Sequence, residues 1–140
     1  MRSQPSERTR VAKFHGWLGA LLLLLIIPVK AARWLGFDGS SAFLVDIAPS
    51  VLGPAGSLFL LLSSKGSLTR RFLLQTTLLM LVIAPGVEFA QLLPRPGILA
   101  KVRYTFDWWD VVASVLSLTV AYSVALITTA GNPPDRNAGP

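Results

Sequence analysis

The chain contains no cysteine and a single histidine, His15. Without cysteine there are no disulfides, no thiolate metal ligands and no cysteine nucleophile, and one imidazole leaves no histidine pair for a metal. Charge is also scarce. Only 14% of the residues are Asp, Glu, Lys or Arg against 52% hydrophobic, and the mean hydropathy is +0.57. In 140 residues that balance leaves no room for a multidomain soluble enzyme and points to one membrane-embedded unit. Acids are the scarcer sign, seven against 13 basic residues for a net charge of +6. The excess does not read as nucleic-acid binding, because the basic residues are spread over tails and loops, not gathered in one stripe with aromatics between them. Attraction of loop charge to anionic lipid accounts for it more simply.

What the chain does have is long apolar runs. Four of them, over 14–35, 43–62, 72–93 and 109–130, approach the roughly 20 residues that a bilayer core demands. The expected fold is therefore all-α, a polytopic transmembrane bundle of about four spans. Between the runs stand turn and charge signals: Gly36 to Ser41, then Ser63-Ser64-Lys65-Gly66-Ser67, then Pro94-Arg95-Pro96-Gly97. A basic N-terminal arm over 1–13 and a polar C-terminal tail over 131–140 hold too few apolar residues to offset the entropy of ordering, and both are expected to be disordered.

The distribution of Lys and Arg gives a direction. Arg2, Arg8, Arg10, Lys13, Lys65, Arg70, Arg71 and Arg136 fall on one side, and Lys30, Arg33, Arg95, Lys101 and Arg103 on the other, eight against five. The positive-inside rule then puts both termini in the cytoplasm of an inner-membrane protein. Span one also carries marks of a cleaved signal peptide: a basic front, an apolar stretch from Trp17 to Ile27, and Val29-Lys30-Ala31. Cleavage would leave three spans but the same outward-facing third loop.

Spans two and three are interrupted, by Pro49, Gly53, Pro54 and Gly56 in the second and by Pro85 and Gly86 in the third. A proline removes a backbone donor and frees the carbonyl four residues earlier, so these helices are expected to open locally near polar side chains. Just beyond Pro85 comes Glu88, a carboxylate at membrane depth, which is by default a candidate functional residue. It lies sixteen residues past Phe72, about 24 Å along a helix in a core roughly 30 Å thick, close to the outer leaflet's surface. Gln91 follows on the same helix edge. Asp107, Asp110 and Ser114 fall at i, i+3 and i+7 along span four, and Asp46 opens span two on the same side, with Arg103, Lys101 and Arg95 close in sequence. The expectation is an outward polar pocket of Asp46, Glu88, Gln91, Arg103, Asp107, Asp110 and Ser114. A purely structural account stands beside it, in which Asp107 caps span four, Arg103 pairs with one carboxylate, and Glu88 bonds Gln91 or a freed amide.

Other residue patterns read as packing or anchoring. Trp108 and Trp109, with Tyr104 and Phe106, sit where an interfacial aromatic belt belongs. Ala113, Ser117, Ala121 and Ala125 make a small-residue stripe that lets a neighbouring helix come close. Gly16 and Ala20 form a lesser small pair, and His15 is expected at the cytoplasmic interface.

The order Glu88-x-x-Gln91, a basic loop bearing Arg103, then Asp107-x-x-Asp110-Val111-Val112-Ala113-Ser114 resembles the VanZ-like family of small bacterial membrane proteins. In that family a Glu-x-x-Gln ends one helix, and an Arg-bearing loop leads to Asp-x-x-Asp and a helix opening Asp-x-x-x-Asn-x-x-Gly. The likeness covers 85–122. Ser114 stands at the Asn position, Ser117 at the Gly position, and Ala121 where a second glycine belongs. The resemblance implies a multi-pass inner-membrane protein, with some relatives linked to glycopeptide resistance, and no established catalysis.

The leading expectation is accordingly a non-enzymatic envelope protein with no cofactor. Its partners are the lipid bilayer and, through the pocket, a cell-wall precursor, an envelope lipid, a membrane-protein partner or a second copy of the chain. One alternative is a small proton-coupled transporter with Glu88 as the exchanging acid. Another is a lipid-phosphate enzyme with Mg²⁺ on Asp107 and Asp110, although no nucleophile stands with a base beside it.

Overall fold

The computed structural model describes residues 7–35, 42–65, 68–90, 92 and 107–130. These form four helices and, among the described residues, no strand: α1 (Glu7–Trp34), α2 (Ala42–Ser63), α3 (Arg70–Ala90) and α4 (Trp108–Ala130). Each is long and apolar enough to cross a membrane. The all-helical fold and its four spans are as the apolar runs predict.

The boundaries move where local chemistry acts. α1 begins at Glu7, so residues 7–13 of the arm expected to be disordered are helical. Once an apolar run has nucleated a helix, extension adds one backbone bond per residue and proceeds through ordinary polar residues. The start of α3 is capped by Thr69, whose hydroxyl accepts from the Phe72 amide at 3.2 Å. That of α4 is capped by Asp107, whose Oδ1 accepts from the Trp109 amide at 3.0 Å.

α4 is the most buried of the four helices and α1 the least. α1 lies along α2, α2 and α3 both lie on α4, and α2 and α3 barely meet. The spatial order is thus α1, α2, α4, α3. Leu58, Phe59 and Leu62 of α2, Leu73 and Met80 of α3, and Leu118, Ala121 and Ala125 of α4 make the shared core. The predicted small-residue stripe Ala113, Ser117, Ala121 and Ala125 is buried along its whole length. Outward-facing side chains such as Trp17, Leu24, Val82 and Ile127 are largely exposed, a surface that fits hydrocarbon and not water. Threonines at this depth close on their own helix: Thr76 donates to the Phe72 carbonyl at 2.8 Å and Thr77 to that of Leu73 at 2.9 Å.

α1 and α2 approach most closely at Gly19 and Gly56, not at the Gly16 and Ala20 pair. A Cβ placed on Gly19 would lie 2.7 Å from the Gly56 carbonyl oxygen and 2.8 Å from the Leu60 nitrogen. Only glycine permits that backbone-to-backbone approach.

The His15 side chain is not on the surface of the bundle. It is fully buried eight residues into α1, its ring stacked on Phe59 at 5.5 Å and its Nε2 2.9 Å from the Thr128 hydroxyl of α4. Because the Thr128 hydroxyl donates to the Val124 and Ala125 carbonyls, the geometry assigns the imidazole proton to Nε2. Nδ1 is then a bare acceptor with no partner among the described residues. His15 sits between α2 and α4 because Phe59 and Thr128 close on it, which the apolar run by itself did not indicate.

Candidate functional site

Three helix ends converge on one side of the bundle. Phe43 at the start of α2 meets Trp109 edge to face at 6.0 Å, and Phe89 at the end of α3 meets Trp108 the same way at 5.9 Å. Trp108 and Trp109 remain mostly exposed, 64% and 59%, so the rings tie the ends together while facing outward.

Beneath these rings, α2 and α4 are stitched by hydroxyls, and the cause is Pro54. A proline at this position has no N–H for the carbonyl of Ser50, four residues earlier, which is left without its helical partner. Ser114 of α4 supplies the missing donor, its hydroxyl reaching the Ser50 carbonyl at 3.0 Å. One turn further on, the Ser117 hydroxyl donates to the Val51 carbonyl. The Ser50 side chain completes the set by donating to Asp110 Oδ1 at 2.8 Å. Ser114 and Ser117 are both buried and Asp110 is half-buried. A carbonyl freed inside a membrane is costly unless it finds a donor, and here the small polar face of α4 provides it.

Since α2 and α3 both rest on α4 without closing on each other, a cleft of about 260 Å³ opens between them. Pro49, Ser50, Pro54 and Ser57 form its α2 wall. Met80, Ala84, Val87 and Glu88 form its α3 wall, and Ser114 of α4 its floor. Glu88 is half-buried and continues the inward face of α3 that Leu73, Thr77, Met80 and Ala84 establish. Gly86 beside it has open space around its Cα.

Of the residues predicted for the pocket, Glu88 and Ser114 line the cleft, and Asp110 bonds to Ser50 in its wall. Asp107 is exposed and serves as the α4 cap. Asp46 is exposed on α2 and lies outside the lining. Gln91 and Arg103 fall outside the described residues. Ser50 was not among the predicted residues, although Pro54 four residues later marks its carbonyl as one needing a partner. No three His, Asp or Glu side chains among the described residues come together as a metal-ligand set. No family model, curated protein or solved structure matches the chain.

Proposed function

We propose that the chain is a VanZ-like integral protein of the bacterial inner membrane, non-enzymatic, whose polar cleft faces outward and contacts an envelope component. That component is a cell-wall precursor, a lipid head group or a membrane partner. The observation that carries the reading is that Glu88, Ser50 and Ser114, from three different helices, line one cleft, with Asp110 bonded to Ser50 behind its wall. A packing role alone would close α2 onto α3; instead a carboxylate is held at the edge of an open space, where hydrocarbon makes an ionisable group expensive to keep. The excess of Lys and Arg at the opposite helix ends supports an outward-facing cleft with both termini cytoplasmic.

The test is functional complementation of a deletion strain, scored by susceptibility to envelope-directed antibiotics. Glu88→Gln and Asp110→Asn are expected to abolish complementation while the protein inserts and accumulates at wild-type level. Full activity from both variants overturns the reading. Reporter fusions in the loop at Gly97 and after residue 130 check the orientation.

A further inference from the structure

The cleft has a length and a polarity gradient that together specify an occupant. From Glu88 to Met80 the α3 wall descends eight residues, about 12 Å at 1.5 Å per residue. One leaflet of a hydrocarbon core roughly 30 Å thick is about 15 Å deep, so the cleft runs from near one membrane surface to near the midplane. Glu88 and Ser50 stand at the surface end, and the deep end is Pro54, Met80 and Ala84, with only the small Ser57 hydroxyl among them. Because α4 forms the floor through Ser114 and α2 and α3 form the walls, the opening that the described residues leave faces away from α4, sideways out of the bundle. A cavity of about 150 Å³ accommodates a benzene ring, so the 260 Å³ here suits an apolar segment of about ten carbons. That is one acyl chain, not two.

We infer that the cleft is a lateral seat for one acyl chain of a lipid whose head carries a primary ammonium, with the ammonium resting on the Glu88 carboxylate. A phosphodiester head without an amine would set anion against carboxylate at the same depth, whereas an ammonium adds a charge-assisted bond to those the acid already makes. An ionised carboxylate accepts several hydrogen bonds, so a protein donor and the lipid amine are accommodated together. Chain length and head position are matched by the same stretch of α3, whichever leaflet the cleft faces. The inference rests on the cleft being the functional contact proposed above, and it names the chemical class of what is contacted.

The experiment uses the full chain in phosphatidylglycerol nanodiscs doped with trace lipid bearing a photoactivatable acyl chain, with either an ethanolamine or a glycerol head, and mass spectrometry maps the labelled residues. Label from the ethanolamine probe is expected to concentrate on Met80 and Ala84 over Leu78 and Val82, which face outward on the same helix. It should exceed that from the glycerol probe by about tenfold, the effect of one hydrogen bond to a charged group. Glu88→Gln should bring the two probes level, and Ala84→Phe, which fills the groove, should remove label at Met80 from both. Equal labelling by the two heads in the wild-type chain overturns the inference. So does a ratio that Glu88→Gln leaves unchanged, label spread evenly over Leu78, Met80, Val82 and Ala84, or label at Met80 that survives Ala84→Phe. Equal labelling together with lost complementation in Glu88→Gln and Asp110→Asn defeats the lipid seat but keeps the functional cleft. Selective labelling with full complementation does the reverse.

Discussion

Substituting the glycines one at a time by alanine should produce a graded loss of stability that follows backbone proximity and not helix propensity. On propensity alone each change favours the helix by about 1 kcal/mol. At Gly19 the new Cβ would stand 2.7 Å from the Gly56 carbonyl oxygen and 2.8 Å from the Leu60 nitrogen, and backbone atoms cannot swing aside. Restoring an ordinary 3.4 Å contact requires α1 and α2 to part by about 0.7 Å, a gap that forfeits a quarter to a half of each dispersion well. With on the order of fifty atom contacts along the crossing, each worth about 0.1–0.2 kcal/mol, the loss is about 2–3 kcal/mol. Offset by propensity, Gly19→Ala should destabilise by about 1–2 kcal/mol, within the range found for overpacked cores. Gly56→Ala meets mainly the Leu23 side chain at 2.9 Å, which can rotate in part, and should cost less. Gly53→Ala, 4.0 Å from Ile26, and Gly86→Ala, with nothing within 4 Å, should be neutral or stabilising. The assay is unfolding of the purified full chain in mixed micelles as denaturing detergent is added, followed by tryptophan fluorescence. If Gly19→Ala unfolds at the same detergent fraction as Gly53→Ala, the close crossing of α1 on α2 is wrong.

The stitch between α2 and α4 predicts a coupled pair. Ser114→Ala should cost about 1–2 kcal/mol by orphaning the Ser50 carbonyl, and Pro54→Ala, which restores a helical donor, should cancel most of that loss; additive effects in a double-mutant cycle would refute the pairing. His15→Ala should destabilise by about 2–4 kcal/mol through the cavity left between Phe59 and Thr128, while His15→Phe, which keeps the stacking and removes the unpartnered Nδ1, should stay within about 1 kcal/mol of wild type. Equal losses from the two changes, read by the same unfolding assay, would show that the ring's nitrogens and not its volume matter. Asp107→Ala should cost about 1 kcal/mol as the α4 cap is lost, and Asp107→Asn should be near wild type; a large effect of Asp107→Asn would assign the charge a role beyond capping.

The sequence made the number and extent of the helices legible because a bilayer imposes its thickness on apolar length, and that constraint is local to each run. It also made the face of α4 legible, since small residues at four-residue steps leave few other uses. The partners of that face were harder. Ser50 is an ordinary serine until Pro54 is read as an unfilled demand on its carbonyl and Ser114 as the donor that meets it, and the pairing depends on α2 lying on α4. His15 escaped for a related reason: its burial follows from Phe59 and Thr128, residues 44 and 113 positions away. Gly19 looked no different from Gly16 because spacing on one helix does not say which residue lies at the crossing with another.

The two polar layers of the bundle differ in a way that bears on transport. At one end His15 is sealed between Phe59 and Thr128 with no exposed surface, its Nε2 committed to a neutral hydrogen bond. At the other, Glu88 stands at a cleft that descends to Met80 and is floored by Ser114. Between them lie Leu58, Leu118, Ala121 and Ala125, all buried. An exchanger needs its acid reachable in turn from both sides of the membrane, and here the path from Glu88 to the His15 end would have to break the central contact of α2 with α4. Leu58 and Leu118 in that layer are fully buried, and its opening would expose the core that holds α2 on α4. The arrangement therefore favours a one-sided contact, in which a partner enters from lipid or from the surface and leaves by the same route. A pH-gradient assay in proteoliposomes separates the two: efflux that follows the gradient and is lost in Glu88→Gln would require a second state in which this central layer opens.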